Sequence, residues 1–236
     1  MKDRPFEQPS FEGLPREFFV PQNLPSFLAV KVLNPQPGER ILDMCASPGG
    51  KTGHIASCMN NVGCLVAVDK SSKKVARLEA HLSELGVTCA HLLAQDATRL
   101  GIEQKFDRIL LDGPCSGLGQ RPLLPGDADR PLGDCDYASY QKKLFKRAWE
   151  LLRPGGTMVY STCTIDRREN EDVVAWATES LHDLQLVDTG APYGSPGIKG
   201  PLTGDQASKV RRFGPGSEEN VFNDTIAFFI AKFFKT

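Results

Sequence analysis

Two cysteines and one aspartate are the residues of this sequence best suited to covalent catalysis. Asp112 and Cys115 lie in the stretch LLDGPCSG, and Cys163 lies in MVYSTCT. Each stretch opens with an apolar run typical of a buried strand, so both thiols are expected just beyond a strand end. A thiolate can add to carbon 6 of a pyrimidine while an acid protonates or hydrogen-bonds N3, which makes carbon 5 nucleophilic toward a methyl donor. These residues therefore predict methylation at carbon 5 of a pyrimidine.

Other interpretations of the same residues stay open at this point. A cysteine is more often a small buried hydrophobic residue than a nucleophile. In another interpretation the nucleophile is Cys115, after the fourth strand, as in enzymes that methylate DNA. Methylation of an amino group needs no thiol and typically uses an Asp/Asn-Pro-Pro-aromatic motif, where this chain has Gly113-Pro114-Cys115. Carbon-5 methylation accounts for more of the residues than amino methylation does.

The stretch DMCASPGGKT, residues 43–52, looks at first like a phosphate-binding loop. Such a loop needs a glycine six positions before Lys51, and Cys45 stands there. The dinucleotide-binding pattern also fails, because Gly49, Gly50 and Gly53 have the wrong offsets. What remains is a glycine turn before a helix N-terminus, which can hold a carboxylate on backbone N–H groups.

Four acids at the ends of predicted strands define the rest of this site. Asp43, Asp69, Asp96 and Asp112 each end such a strand, and the ligand crevice of an open parallel sheet lies beyond the carboxyl ends of its strands. The acid after the second strand suits a ribose diol, and the acid after the third suits an adenine amine. A carboxylate, a ribose and an adenine together predict S-adenosylmethionine as cofactor. The alternative is that the glycine turn and the strand ends are only structural.

The strands that position these residues alternate with amphipathic helices. Two segments with apolar residues three and four apart predict helices, Ser71–Leu85 and Tyr137–Leu152. Short apolar runs predict strands at 40–44, 64–69, 90–96, 106–112, 157–162 and 225–234. This alternation predicts an α/β fold with a doubly wound, mostly parallel sheet. Residues 122–136 have no periodicity and predict a long loop after the fourth strand.

Composition excludes several classes of protein. The 236 residues, of which 40% are hydrophobic, can bury one sizeable core. No apolar run is long enough for a membrane span or a signal peptide, so we expect a cytoplasmic protein. Seven cysteines at irregular spacing, without Cys-x-x-Cys, predict neither a disulfide framework nor a metal site. A net charge of −1 neither supports nor excludes nucleic acid, which needs only a local basic face.

Three separated motifs, in the right order, resemble the NSun (Sun-type) family of RNA 5-methylcytosine methyltransferases. DMCASPGGKT resembles the cofactor loop of that family, DGPCSG its fourth motif and YSTCT its sixth, and the likeness spans about residues 11–236. Finer matches, QNLPS at 22–26 and GLGQRP at 117–122, resemble the branch that methylates a cytosine near the 3′ end of the tRNA acceptor stem.

The resemblance implies the class I S-adenosylmethionine-dependent methyltransferase fold, with a seven-stranded sheet and an antiparallel last strand. It also implies RNA, and specifically tRNA, as the partner. We expect the chain to be a monomer. Two alternatives remain, namely the same chemistry on ribosomal RNA and a chain that binds cofactor or RNA with little activity.

The resemblance assigns roles to residues by position. Cys163 corresponds to the nucleophile, Cys115 to the second cysteine, which assists product release, Asp112 to the acid that contacts the target base, and Lys51 to a lysine near that base. The positions that correspond to cofactor contacts are Cys45, Ala46, Ser47, Pro48, Gly49, Gly50, Lys51, Asp69, Asp96 and Asp112. Gly113 stands where alanine is usual, a difference that is expected to change little.

Two regions are expected along the chain. Residues 1–25, which are rich in proline, are expected to form an N-terminal strap, and residues 26–236 the catalytic domain. The acceptor-stem branch also has an RNA-binding PUA domain, which is expected to be absent here. Because RNA affinity depends on many phosphate contacts, selective tRNA binding is expected to be weakened.

Overall fold

The sheet is built from eight strands whose apolar side chains alternate between its two faces. The computed structural model describes residues 20–120, 136–214 and 225–236. In chain order the strands are β1 Arg40–Asp43, β2 Cys64–Asp69, β3 Ala90–Ala94, β4 Phe106–Asp112, β5 Leu152–Thr162, β6 Leu184–Val187, β7 Arg211–Phe213 and β8 Phe228–Lys235. The helices are α1 Leu24–Leu33, α2 Gly50–Cys58, α3 Ser72–Glu84, α4 Tyr137–Leu151, α5 Glu171–Ser180 and α6 Gly204–Lys209.

Alternation along the central strands divides the core into two layers. In β1, Ile41 packs with the apolar residues of α1 and α2, whereas Leu42 packs with those of α4 and α5. Leu110 of β4 lies on the first face, and its neighbours Ile109 and Leu111 lie on the second. Strands buried on both faces are typical of parallel sheets covered by crossover helices. The predicted α/β, doubly wound arrangement is confirmed.

The strand order identifies the edge of the sheet at which a ligand is expected to bind. The order is β3-β2-β1-β4-β5-β8-β6, in which β1 to β5 are parallel and β8 is antiparallel to its neighbours. The winding direction reverses between β1 and β4, and the crevice at such a switch point is where open α/β sheets bind ligands. Asp43 and Asp112 end these two strands. The expected antiparallel last strand is also confirmed.

The sheet contains an eighth strand that the predicted seven did not include. β7 pairs with Phe228–Ile230 of β8, and β6 pairs with the following half of β8, Lys232–Lys235. The sheet is therefore seven positions wide, with two short strands sharing the last position. β7 has only three residues, so no alternating pattern could identify it.

Several predicted boundaries need correction. β5 begins at Leu152 and not at Thr157, because an irregularity after Phe106 lets the strand continue through Pro154 and Gly155. The predicted first and third strands extend one and two residues too far, since β1 ends at Asp43 and β3 at Ala94. The last strand begins at Phe228, three residues later than predicted.

Polar side chains cap the N-termini of both predicted helices. Ser71 precedes α3, and its hydroxyl accepts a hydrogen bond from the backbone N–H of Lys74 at 3.4 Å. Asp136 caps α4 through the backbone N–H of Ser139 at 3.0 Å. The rest of the predicted 122–136 loop lies outside the described residues, as does the strap up to residue 19. α1 begins at Leu24, inside the expected strap, so the boundary at residue 25 stays a prediction.

No helix among the described residues is both long and apolar enough to cross a membrane.

Candidate active site

The turn between β1 and α2 brings the DMCASPGGKT stretch to the switch point. Gly49 has a φ of 112°, and a Cβ there would lie 2.7 Å from Cδ1 of Leu78 in α3, so only glycine fits. The hydroxyl of Thr52, in the first turn of α2, donates to Oδ2 of Asp43 at 2.8 Å. These contacts fix the turn, from which Cys45 and Ser47 reach the cleft.

Asp43 supports this turn and does not face the cleft. The carboxyl group is buried, and burial raises its pKa to about 7, aided by the negative charge of Asp112 and opposed by the Thr52 hydrogen bond and by Lys51. A carboxyl group with this pKa is protonated below neutrality. Asp43 therefore adds less negative charge to the site than its sequence position implies.

A cleft of about 680 Å³ opens beyond the ends of β1, β2, β4 and β5. Six predicted site residues line it, namely Cys45, Ser47, Asp69, Asp112, Cys115 and Cys163. Lys51 adjoins this group through its contact with Asp112. The other predicted residues are not among those lining the cleft, namely Ala46, Pro48, Gly49, Gly50 and Asp96. They lie in the supporting turn or beside the cleft.

Two carboxylates stand at the β2 and β3 end of this cleft. Asp69 is 8% exposed, and its Oδ1 accepts a hydrogen bond from the backbone N–H of Ser71 at 3.0 Å. Asp96 accepts from both the backbone N–H and the hydroxyl of Thr98 and pairs with Lys70 at 3.0 Å. Burial opposes ionisation of Asp96, but the bonds from Thr98 and Lys70 lower its pKa to about 2. Of these two carboxylates, only Asp69 is among the residues that line the cleft.

The two predicted catalytic thiols are in contact. Sγ of Cys115 lies 3.2 Å from Sγ of Cys163, and both side chains are half-buried at the cleft wall. The hydrogen bond from Cys115 holds the pKa of Cys163 below its ordinary value despite burial, and the positive charge of Lys51 adds to this effect. The same contact, together with burial, raises the pKa of Cys115. The pair thus has one thiol poised to ionise and one that retains its proton.

Cys45, the third thiol at the cleft, has the opposite environment. Burial, followed by the negative charges of Asp43, Asp112 and Asp69, raises its pKa well above the ordinary value. A thiol in such surroundings stays protonated and is a weak nucleophile. Of the three cysteines at the cleft, Cys163 is therefore the one suited to attack.

Asp112 is held by two partners at the carboxyl end of β4. Lys51 Nζ lies 2.7 Å from Oδ2, and the hydroxyl of Ser161 donates to Oδ1 at 2.6 Å. Although burial opposes it, the charge and hydrogen bond of Asp112 raise the pKa of Lys51, which stays an ammonium. Asp112, Lys51 and Cys163 therefore form one electrostatically connected group.

Two residues that contribute to this site have no separate signal in the sequence. Ser161 is fully buried near the end of β5, where a serine has no visible role until its bond to Asp112 is known. Tyr140 lines the cleft from the first turns of α4, and burial with the nearby charge of Asp96 raises its pKa to about 12. It lies four residues before Leu144, on the core side of that helix, so periodicity alone indicates a packing residue.

Among the described residues, no group of three or more histidine, cysteine or acidic side chains is placed to hold a metal ion.

Comparisons with known proteins agree on one family. Residues 30–234 match the family model described as 16S rRNA methyltransferase RsmB/F. The whole chain is 40% identical to the tRNA (cytosine(72)-C(5))-methyltransferase NSUN6 of Homo sapiens and spans 57% of that protein. Over 96% of its length, the chain is 38% identical to the tRNA (cytosine(72)-C(5))-methyltransferase of Pyrococcus horikoshii. It spans 56% of that protein.

Solved structures show the same fold. The crystal structure of NSun6 from Pyrococcus horikoshii with SFG has a TM-score of 0.79 and 36% identity, covering 97% of this chain and 56% of that one. A methyltransferase homolog from the same organism has a TM-score of 0.76 and 34% identity, covering 91% of this chain and 67% of that one. The predicted class I methyltransferase fold and the resemblance to the NSun proteins are thereby confirmed. The chain belongs to the RsmB/F methyltransferase family.

Proposed function

We propose that this chain transfers a methyl group from S-adenosylmethionine to carbon 5 of a cytosine in RNA, with Cys163 as the nucleophile. The observation that supports this most directly is the contact of Cys163 with Cys115 at 3.2 Å, beside the Asp112–Lys51 pair. Amino-group methylation would use neither thiol. A packing role for the cysteines would not explain the position of both thiols on the cleft wall.

The residues of the cleft fit S-adenosylmethionine by their donors and acceptors. Asp69 lines the cleft and is proposed to accept from a ribose diol. The backbone N–H groups of the turn before α2, whose residues Cys45 and Ser47 line the cleft, are proposed to hold the carboxylate. A cleft of about 680 Å³ lies within the usual range for sites of this kind. A solved relative carries SFG, an analogue of this cofactor. When bound, the cofactor supplies a sulfonium methyl group that carbon 5 of the activated base accepts.

The described side chains account for activation of the cytosine. The Cys163 thiolate adds to carbon 6, and the negative charge that develops at N3 is stabilised by a proton donor. Asp112 is proposed to make that contact, with Lys51 Nζ, 2.7 Å from its Oδ2, as the adjacent source of a proton. The pairing of Asp112 with Lys51 and Ser161 keeps the carboxyl group in place for this contact.

Release of the product requires a second proton transfer. The proton on carbon 5 is lost to a base, the electron pair re-forms the 5,6 double bond, and the bond between Sγ and carbon 6 breaks. Cys115, which lies next to the leaving sulfur, is proposed to assist this step. The two thiols therefore have different roles, Cys163 in forming the covalent bond and Cys115 in breaking it.

tRNA is the proposed substrate, with the target cytosine near the 3′ end of the acceptor stem. The support is that two relatives across nearly the whole chain are named for cytosine 72 of tRNA. Ribosomal RNA is the second candidate, because the matching family model is named for 16S rRNA. We further propose that the chain acts as a monomer in the cytoplasm, and that the catalytic domain begins near residue 26.

The proposed function is tested by mapping 5-methylcytosine after incubation with RNA and S-adenosylmethionine. The substrate is a mixture of in vitro transcribed tRNA and ribosomal RNA, and bisulfite sequencing locates each methylated cytosine. Methylation of one acceptor-stem cytosine is the expected result. Methylation confined to ribosomal RNA would replace the proposed substrate, and no 5-methylcytosine in either RNA would contradict the proposed reaction.

Asp69→Ala is expected to lower the affinity for S-adenosylmethionine at least about tenfold, because each hydrogen bond to a charged group contributes about 1.5 to 3 kcal/mol. Isothermal titration calorimetry with S-adenosylmethionine measures the change. Asp188→Ala is a matched control, since that side chain is 62% exposed and pairs with Arg211, away from the cleft. Equal affinity of Asp69→Ala and the control would remove Asp69 from the proposed ribose site.

A further inference from the structure

Two neighbouring residues before α5, Glu169 and Asn170, each contact one of the two cysteine-bearing loops. Glu169 is 4% exposed and Asn170 is fully buried, and neither lines the cleft. Their side chains make no contact with the thiols themselves among the described hydrogen bonds. Their position between the two loops nevertheless determines how those loops approach each other.

Glu169 holds the loop that contains Cys115. Its Oε2 accepts hydrogen bonds from the backbone N–H of Ser116 at 3.0 Å and from Nε2 of Gln141 at 2.9 Å. The same Gln141 nitrogen donates to the carbonyl of Pro114 at 3.0 Å. The residues on both sides of Cys115 are thus fixed to α4 and to Glu169. A loop held on both sides of one residue leaves its side chain little freedom to move.

Asn170 holds the loop that contains Cys163. Its Nδ2 donates to the carbonyl of Thr164 at 3.0 Å, and its Oδ1 accepts from the hydroxyl of Thr162. The residues on both sides of Cys163 are therefore bound by one side chain. A hydrogen bond of 2.7 Å between the hydroxyls of Ser116 and Thr164 then joins the two loops.

We propose that Glu169 and Asn170 are positioning residues that set the contact between the two thiols, an inference that rests on the proposed function for its catalytic consequence. The main-chain bond between the two residues couples the loops, so displacement of either one separates Cys115 from Cys163. Separation on the Cys115 side impairs release of the product. Separation on the Cys163 side impairs the initial attack. If Glu169 and Asn170 only stabilised the fold, substitution of either residue would impair the same step of the reaction.

The variants that test this are Glu169→Ala and Asn170→Ala, with two matched controls. Glu169→Gln retains an acceptor oxygen for Ser116 and Gln141. Glu171→Gln alters another fully buried carboxylate two residues away, whose partners are Arg212 and the backbone N–H of Ile198. Circular dichroism and thermal unfolding establish that each variant is folded. Gln141→Leu, which removes the bonds to Pro114 and Glu169, replaces Glu169→Ala if that variant does not fold.

The first measurement reads the distance between the thiols without cofactor or RNA. Diamide oxidises two adjacent thiols, whose two protons and two electrons reduce its N=N bond to a hydrazine while the S–S bond forms. Peptide mass spectrometry follows the Cys115–Cys163 disulfide with time. Glu169→Ala and Asn170→Ala are expected to slow its formation by at least about tenfold, because a displacement near 1 Å costs on the order of 10²-fold in an oriented reaction. Both controls are expected to match the wild type.

The second measurement uses RNA and S-adenosylmethionine. Glu169→Ala is expected to accumulate a covalent complex with RNA, whereas Asn170→Ala is expected to lose methyl transfer without forming one. Unchanged disulfide formation in both alanine variants, or an equal slowing in Glu171→Gln, would overturn the inference. If the wild type forms the disulfide rapidly but methylates no RNA, the proposed function is contradicted. The rates of disulfide formation with diamide would still decide whether Glu169 and Asn170 position the two thiols.

Discussion

Cys163→Ala is expected to abolish methyl transfer to RNA while the chain stays folded and binds S-adenosylmethionine normally. Carbon 5 of cytosine is a poor nucleophile until a thiolate adds to carbon 6, and no other described thiol at the cleft replaces Cys163 in that role. Cys163→Ala removes the hydrogen bond that contributes most to the raised pKa of Cys115, but burial still raises it. Burial and three nearby acids raise the pKa of Cys45. Transfer of a labelled methyl group to RNA measures the loss.

The control for this prediction is Cys58→Ala. Cys58 is a half-buried free thiol at the end of α2 and does not line the cleft. It is expected to keep its activity, and calorimetry is expected to give both variants the cofactor affinity of the wild type. Methyl transfer that persists in Cys163→Ala would show that the thiol is not the nucleophile. A loss of cofactor binding in that variant would indicate a structural role for Cys163.

Cys115→Ser is expected to trap the protein on its RNA. A serine hydroxyl can still donate a hydrogen bond to Sγ of Cys163, so the nucleophile remains activated and the attack and methylation proceed. The hydroxyl does not replace the thiol in the elimination step, because it is far less acidic and less able to relay the proton. Denaturing gel electrophoresis with labelled RNA is expected to show a retarded band for this variant.

The double variant distinguishes the possible sources of this band. Cys115→Ser combined with Cys163→Ala is expected to give no retarded band, because no nucleophile remains. A retarded band that appears instead in Cys163→Ser would reverse the roles of the two cysteines. Such a result would correspond to the arrangement in enzymes that methylate DNA, with the nucleophile after β4.

The sequence was sufficient to predict that four of its acidic and thiol side chains meet at the cleft. Asp69, Asp112, Cys115 and Cys163 each follow or end a strand, and parallel strands bring their carboxyl ends to one edge. That rule depends only on strand order, which the alternation of strands and helices supplies. It does not give side-chain distances, so the thiol contact of 3.2 Å could not be predicted from the motifs.

The contacts that fix those distances come from residues remote in sequence. Glu169 reaches Ser116 across 53 positions, and its neighbours Arg167 and Arg168 appear in the sequence only as a basic pair. Ser161 lies inside β5, where a buried hydroxyl has no pattern that predicts its partner. The sequence therefore predicts the chemical groups at this site, and long-range packing determines their geometry.

The most direct test of the central claim is to identify the cysteine that is bonded to RNA. The complex formed by Cys115→Ser with tRNA and S-adenosylmethionine is digested with nuclease and protease, and mass spectrometry locates the residual nucleotide. We predict that the nucleotide is a methylated cytidine attached to Cys163. A nucleotide attached to another residue, or the absence of any covalent complex from a folded variant that still methylates RNA with normal turnover, would contradict the assignment of the two thiols.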